Sequence, residues 1–197
     1  WKKYLQPIAI AVPVLIFIPM YNIAFPNKSP EYIVKHSNKY KNLGLLRWED
    51  GKNHALPQDF ADMLGWRELA SLVDVAFDSI ADKEYTLIHC DNYGEAGAIN
   101  FYSTQKYTEA VSMNADYINW YPLDKMDIKN VILVKTVYDE DVNRERELPF
   151  FDKVTLIGEI KNKYAREQGT KVYLLKGAKQ SINQILKEEI QARKNNR

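Results

Sequence analysis

The sequence of 197 residues has very little cysteine and almost no net charge. Its single cysteine, Cys90, cannot form an internal disulfide, and one thiol is too few for a cysteine-based zinc cluster. A formal net charge of +1 lacks the basic surplus typical of nucleic-acid-binding proteins, so we expect no nucleic acid as a partner. Eight glycines and eight prolines are too few for a collagen-like or low-complexity chain.

Charged side chains are also missing from the stretch between Lys3 and Lys28. At 1.5 Å per residue, this uncharged run of about 24 residues is long enough to cross a hydrocarbon core of roughly 30 Å. Tyr4 and Tyr21 stand where interfacial aromatic residues are expected. We therefore predict a transmembrane helix over residues 1–27, with the lipid bilayer as a partner.

Three prolines lie inside this predicted helix, at Pro7, Pro13 and Pro19. Each removes a backbone donor, which membrane helices tolerate when neighbouring helices satisfy the freed carbonyls, so the pattern favours one helix of a bundle. Lys2 and Lys3 place the start of the helix on the cytoplasmic side and the rest of the chain on the extracytoplasmic, periplasmic side. A signal-like segment and an extended or core-packed segment are the alternatives.

The remainder of the chain is predicted to form a connector, residues 28–56, and an extracytoplasmic domain, residues 57–197. The connector has weak periodicity and a short predicted helix around residues 31–40. Asp59 is the predicted N-cap of a helix whose apolar residues recur at threes and fours as far as Phe77.

Helical and strand patterns alternate in the domain, which predicts an α/β fold with a small mixed sheet covered by helices. The last two predicted strands most simply form an antiparallel hairpin with a long loop, and an amphipathic helix with an apolar stripe closes the chain. The predicted strands are residues 85–90, 130–138, 153–161 and 171–177, and the closing helix is 179–193, with Ile182, Ile185, Leu186 and Ile190 on its stripe.

A first group of candidate ligand-binding residues follows the first predicted strand. Asn92 and Glu95 have the spacing of a reciprocal capping box, and Tyr93 lies between them. A structural cap is one interpretation, and a polar pocket for a neutral, hydroxyl-rich ligand is the other. An anion site is disfavoured, because no glycine-rich phosphate motif is present and Glu95 puts a negative charge there.

A second group contains aromatic residues next to amides. Asn114, Tyr117 and Trp120 lie in SMNADYINWYP, and exposed aromatic rings beside polar groups suit stacking on sugar rings. Packing in a core or an interface is the alternative role of such rings.

Chemistry that would catalyse a reaction is sparse. Asp139 and Asp141 have the D-x-D spacing by which nucleotide-sugar transferases hold a divalent cation, although an acidic helix start explains the same residues. His89 is predicted to be a core histidine, and no nucleophile motif is present. We therefore predict no catalytic residue, no metal site and no cofactor for this chain.

Two stretches together resemble the C-terminal soluble domain of bacterial family 39-type membrane glycosyltransferases, the group of protein mannosyltransferases and aminoarabinose transferases. They are LPQDFADMLGWRELA, residues 56–70, and NYGEAGAINFYS, residues 92–103. The stretch at residues 112–122 is similar more loosely. The resemblance covers residues 56–186 and the position of a last membrane helix, and the chain begins at Trp1 without a methionine, so we expect the tail of a longer protein.

The resemblance implies an enzyme that transfers a sugar from a polyprenyl-phosphate donor to a lipid or protein acceptor outside the cytoplasm. The family's catalytic residues lie in an earlier loop, so it implies an accessory domain that is inactive alone, that packs against the parent chain's other membrane helices, and that contacts a glycan or a lipid-linked sugar acceptor. Two alternatives stay open. One is a membrane-anchored carbohydrate-binding module, and the other is a nucleotide-sugar transferase that uses Asp139 and Asp141.

Overall fold

The computed structural model describes residues 2–106 and 108–195, with the side chains of Lys2 and Asn22 left aside. The chain divides into two compact units, Trp1–Met63 and Leu64–Arg197. The first unit is helical, and the second is an α/β unit built on one five-stranded sheet.

The first unit begins with a long apolar helix, α1, Lys2–Ala24. Its segment Lys3–Tyr21 has a mean hydropathy of 1.7, is nowhere buried, and is the one helix among the described residues long and apolar enough to cross a membrane. Pro7, Pro13 and Pro19 all lie inside it. The predicted N-terminal helix is thus confirmed as an apolar helix of membrane-spanning length.

The connector contains short helices with local caps. In place of the single helix predicted around residues 31–40, the structure has α2, Pro30–Lys35, and α3, Ser37–Asn42. The side chain of Ser29 accepts a hydrogen bond from the Tyr32 amide at 3.3 Å and caps α2, while His36 separates the two helices. The last helix of this unit is α4, Gln58–Ala61.

The continuous helix predicted from Asp59 to Phe77 is wrong. Asp59 lies within α4, whose N-cap is Pro57, and a separate helix, α5, Trp66–Asp78, follows. Residues 62–65 separate the two helices, and Gly65, directly before α5, adopts the left-handed conformation with φ of 87°. That conformation cannot continue a right-handed helix, and glycine reaches it without steric cost.

The second unit is built on a mixed sheet with the strand order β2-β1-β3-β5-β4. β1 is parallel to both β2 and β3, whereas β5 is antiparallel to β3 and β4. The predicted mixed sheet and the predicted antiparallel hairpin are both confirmed. The strands are β1, Thr86–Cys90; β2, Ala110–Ser112; β3, Asn130–Lys135; β4, Phe151–Glu159; and β5, Lys171–Ala178.

One face of the sheet is covered by α5 and by α6, Tyr93–Tyr102. Leu69, Val73 and Phe77 recur every four residues along α5 and are fully buried, as an amphipathic helix on a core requires. They pack with Ile88 and Cys90 from β1. Cys90 is therefore a buried small apolar side chain.

The other face is covered by the segment after β2 and by the closing helix α7, Ile182–Asn195. The apolar stripe predicted for the closing helix is confirmed, because Ile182 and Leu186 are buried on this face and Ile185 and Ile190 pack beside them. The amide of Asn183 donates to the carbonyls of Leu123 and Met126 at 2.8 and 2.7 Å, and its oxygen accepts from the Ile128 amide at 2.9 Å.

The strand order places a topological switch point beside β1. The connection from β1 to β2 passes through α6 on the first face, whereas the connection from β2 to β3 crosses the opposite face. Connections that leave in opposite directions open a crevice at the carboxyl ends of the strands, which is where open α/β sheets bind ligands. That edge of the sheet is therefore the candidate site.

Candidate functional site

The carboxyl ends of the three parallel strands are tied together by polar side chains. Asp91, one residue beyond β1, accepts hydrogen bonds from the Lys135 ammonium at 2.7 Å and from the Thr136 amide at 3.0 Å, both at the end of β3. Ser112, the last residue of β2, donates to the carbonyl of Asp91 at 3.2 Å and accepts from the Asn114 amide at 3.1 Å. These bonds fix the positions of three strand ends at one edge.

A crevice of about 580 Å³ opens at this edge, between the sheet and α7. Its volume lies within the range of small-molecule sites. Its floor is formed by β1 and β3, one wall by α7, and the other by residues 146–151, which precede and begin β4. The polar lining consists of His89, Asp91, Asn114, Lys135, Arg146, Glu147, Glu189 and Arg193.

His89 lies in the floor of the crevice, half-buried, with its Nδ1 atom 3.4 Å from the Tyr121 hydroxyl. Removal from water, with the nearby Lys135 charge as a further cause, lowers the pKa of His89 to about 4. The imidazole is therefore neutral at physiological pH and offers one donor nitrogen and one acceptor nitrogen. The prediction of a core histidine is only partly correct, because the ring also lines the crevice.

The ammonium of Lys135 links the crevice to the loop that follows β3. It contacts Asp91 and also lies 3.3 Å from a carboxylate oxygen of Asp139. Burial by itself would lower the pKa of Lys135, but its bonds to Asp91 and Asp139 outweigh burial and raise it. Lys135 therefore stays charged and paired.

The predicted capping box at the start of α6 is confirmed. The Asn92 side chain accepts from the Glu95 amide at 2.9 Å, and the Oε2 atom of the Glu95 carboxyl group accepts from the Asn92 amide at 3.2 Å. Glu95 is 0% exposed, and its Oε1 atom has no hydrogen-bond partner among the described residues. Burial raises the pKa of Glu95 to about 8. Both side chains are thus used inside the fold, while Tyr93 is exposed.

The two aromatic candidates lie on a short helical turn, Ala115–Asn119, and just after it. The ring centroids of Tyr117 and Trp120 are 4.3 Å apart, and Trp120 is 55% exposed. Tyr117 packs against α6, where a Cβ atom on Gly97 would come within 3.3 Å of the Tyr117 hydroxyl. Trp120 therefore faces solvent, and Tyr117 lies between it and α6.

The two candidate metal ligands are engaged within their own loop. Asp139 contacts Arg144 and Lys135, and Asp141 accepts from the backbone amides of Glu145 and Arg146 at 2.8 and 3.0 Å. The acidic helix start is wrong, because residues 139–147 form turns. Within residues 2–106 and 108–195, no group of three or more His, Cys, Asp or Glu side chains is arranged to hold a metal ion.

Of the six candidate ligand residues, the structure brings one, Asn114, into the crevice. Sequence reasoning did not select Asp91, Lys135 or Arg146. A signal for two of them was available, since Asp91 directly follows one buried strand and Lys135 ends another. Arg146 lies in a loop, and nothing in its local sequence marks it.

Comparisons of the chain with models of protein families, with characterised proteins and with solved structures give no match.

Proposed function

We propose that the chain belongs to the extracytoplasmic side of an integral membrane glycosyltransferase that uses a polyprenyl-phosphate sugar donor. In this proposal α1 spans the membrane, and the unit Leu64–Arg197 is an accessory domain that holds the lipid or protein acceptor in the crevice at the carboxyl edge of the sheet. The catalytic groups belong to other membrane-embedded parts of the enzyme, against which the domain packs.

The observation that carries the proposal is the crevice itself, on a chain that also has an exposed apolar helix. Open α/β sheets bind ligands at the switch point, so the position of the crevice supports a binding role. Its lining supplies hydrogen-bond donors and acceptors. The thiol beside it, Cys90, is fully buried in the core under α5 and α6, and burial raises its pKa, so it is held as a neutral thiol. The one imidazole of the lining, His89, is half-buried beside Tyr121. Such a site suits the binding of a substrate better than its chemical conversion.

Thiol labelling can test on which side of the membrane the unit Leu64–Arg197 lies, because the chain has one native cysteine. Cys90 is 0% exposed, so a Tyr93→Cys variant provides one accessible thiol in the full chain. We expect a membrane-impermeant maleimide to label this variant in intact cells, whereas the unmodified chain stays unlabelled. Labelling that requires permeabilised cells would place the unit on the cytoplasmic side and contradict the proposal.

The accessory role can be tested in membranes of the cell that makes this chain, with a radiolabelled polyprenyl-phosphate-linked sugar as donor. We expect Asn114→Ala and Arg146→Ala to lower transfer several-fold, because both side chains line the crevice. Glu84→Ala is the matched control, since Glu84 is exposed just before the opposite end of β1. Equal transfer by all three variants, or transfer by the isolated chain alone, would refute the accessory role.

A second candidate function is a membrane-anchored carbohydrate-binding module centred on Trp120. The exposed Trp120, whose ring lies tilted against that of Tyr117, is the observation that favours it. A flat aromatic face with neighbouring polar groups is a common platform for a sugar ring. Binding of the full chain to a glycan array, lost in Trp120→Ala and retained in Asn114→Ala, would favour this function over the crevice.

A further inference from the structure

The floor of the crevice changes from apolar to charged along the strands. Leu87 pairs with Val131 near the amino end of the parallel strands, and His89 pairs with Leu133 two residues further along. Asp91 and Lys135 follow at the carboxyl edge, joined at 2.7 Å. At roughly 3.3 Å per residue, the four-residue step from Val131 to Lys135 covers about 13 Å.

The α7 wall changes in the same direction. Its start lies near the amino end of the parallel strands, because the amides of Ala178 and Lys179 bond the carbonyls of Lys129 and Phe150, each at or below 2.9 Å. Ile182, Ile185 and Leu186 therefore line the lower part of the crevice. Glu189 and Arg193 follow up to about 16 Å further along the helix, and their charges act on His89.

The third wall repeats this pattern. Phe150 and Phe151 line the crevice at its apolar end, since Phe151 pairs with Ala178 of β5. Arg146 and Glu147, which precede them in the chain, add charged groups to the lining. Floor and walls thus share one polarity gradient, with the polar end at the open edge of the sheet.

The charged groups of the polar end are equal in number for the two signs. The lining holds three cationic side chains, Lys135, Arg146 and Arg193, and three acidic ones, Asp91, Glu147 and Glu189. Two pairs are direct, Lys135 with Asp91 at 2.7 Å and Arg193 with Glu189 at 2.8 Å. A head group with net charge would disturb these pairs, whereas an uncharged head with many hydroxyls can both donate to and accept from them.

We infer that the crevice binds a single-chain amphiphile with an uncharged, hydroxyl-rich head group, its apolar chain lying under α7 and its head at the carboxyl edge. The inference rests on the proposed function for its setting, where such a molecule is the acceptor. It deepens that function by favouring a lipid over a protein acceptor.

The methionines provide a direct test in the full chain held in amphipol. Met113 lines the crevice, whereas Met63 is exposed and belongs to the other unit. In a sample with carbon-13 methionine methyl groups, assigned by single Met→Leu variants, we expect n-octyl β-D-glucoside below its micellar concentration to shift the Met113 signal and leave Met63 in place. This measurement reports on the crevice whether or not a transferase is involved.

Three probes test the two halves of the inference separately. Methyl β-D-glucoside keeps the head without the chain, and octyl phosphate and octyltrimethylammonium keep the chain with an anionic or a cationic head. We expect each to bind at least about tenfold more weakly than octyl glucoside, a difference of about 1.4 kcal/mol. Equal binding by methyl glucoside would refute the role of the chain, and equal or tighter binding by a charged probe would refute the uncharged head.

Ile185→Phe, which fills the apolar half, is expected to weaken octyl glucoside binding at least about tenfold, and Asn114→Ala, at the polar end, several-fold. Val75→Phe is the matched control, because Val75 is exposed on α5 over the other face of the sheet. The ligand-free Met113 signal reports whether each variant is folded, so an unfolded Ile185→Phe leaves Asn114→Ala as the deciding variant. No shift of Met113 with octyl glucoside, or unchanged affinity in the folded variants, would overturn the inference.

Discussion

The carboxylate of Asp91 lies 2.7 Å from the Lys135 ammonium and 3.0 Å from the Thr136 amide, so one side chain joins the ends of β1 and β3. Both partners of the ion pair are less than a quarter exposed. Asp91→Asn keeps an acceptor for the Thr136 amide and removes the charge that Lys135 needs. We expect this variant to lower the free energy of unfolding by about 1–2 kcal/mol, measured by urea denaturation followed through the Met113 methyl signal.

Asp127→Asn is the control for the Asp91 variant. Asp127 forms an ion pair with Lys129 at 2.5 Å, but both side chains are more than half exposed. Solvent screens such pairs, so we expect a change below about 0.5 kcal/mol. If the two variants lost equal stability, the Asp91 ion pair would be no more than an ordinary surface contact.

The capping box at the start of α6 predicts a graded response at Asn92. Asn92→Ala removes the acceptor for the Glu95 amide and should lower the free energy of unfolding by about 1 kcal/mol, whereas Asn92→Ser keeps a capping oxygen and should lose far less. The same urea experiment measures both variants. Equal losses in Ala and Ser would mean that the capping oxygen does not account for the contribution of Asn92.

Features set by neighbours in the sequence could be predicted from the sequence. The spacing of Asn92 and Glu95 suffices for the capping box, because both bonds join residues three apart. The β4 and β5 hairpin and the apolar stripe of α7 follow from periodicity. The break at residues 62–65 could not be predicted from it, since apolar residues recur on both sides of this turn, which ends in the left-handed conformation of Gly65.

The crevice could not be predicted, because it depends on the order of the strands. Asp91, Asn114 and Lys135 are distant in sequence and meet only because β1 lies between β2 and β3. A different strand order would separate them with the same local patterns. The loop after β3 also differs from the predicted acidic helix start. There Asp141 accepts hydrogen bonds from the amides of Glu145 and Arg146, and these bonds close a turn where the helix was predicted.

The buried carboxyl of Glu95 predicts a loss of stability at alkaline pH. Its pKa is about 8 in the folded chain against an ordinary value of 4.5, so the folded state binds the proton more tightly. Its contribution to stability is full below about pH 4.5 and decreases as the pH rises to about 8. Urea denaturation between about pH 6 and 9 should show this decrease in the unmodified chain.

Glu95→Gln should remove that pH dependence, because the amide cannot ionise, and its oxygen can still accept from the Asn92 amide. Glu188→Gln on the exposed surface of α7 is the matched control and should keep the dependence of the unmodified chain. Parallel pH curves for the Glu95→Gln variant and the unmodified chain would show that the Glu95 carboxyl is ionised in the folded state.

Among the residues of the loop after β3, we expect substitution of Arg144 to lower the free energy of unfolding most. The side chain is 2% exposed, contacts Asp139 and the Asp141 carbonyl, and lies with its guanidinium 5.1 Å from the centre of the Tyr173 ring. Arg144→Met fills the space but leaves the mostly buried Asp139 carboxylate with one cationic partner, Lys135. We expect a loss of about 3 kcal/mol, and a smaller loss for Arg144→Lys, which keeps the charge without the planar fork.

The loss of stability at acid pH distinguishes two roles of Arg144, its ion pair with Asp139 and its packing on Tyr173. Burial would raise the pKa of Asp139, but the Arg144 guanidinium and Lys135 lower it to about 2. The unmodified chain therefore keeps this contribution above about pH 4 and loses it as the pH falls towards about 2. In Arg144→Met that acid-induced loss should shrink, whereas exposed Arg146→Met should leave it unchanged. If all three proteins lost the same stability at acid pH, Arg144 would stabilise the loop by packing on Tyr173 and not through the Asp139 carboxylate.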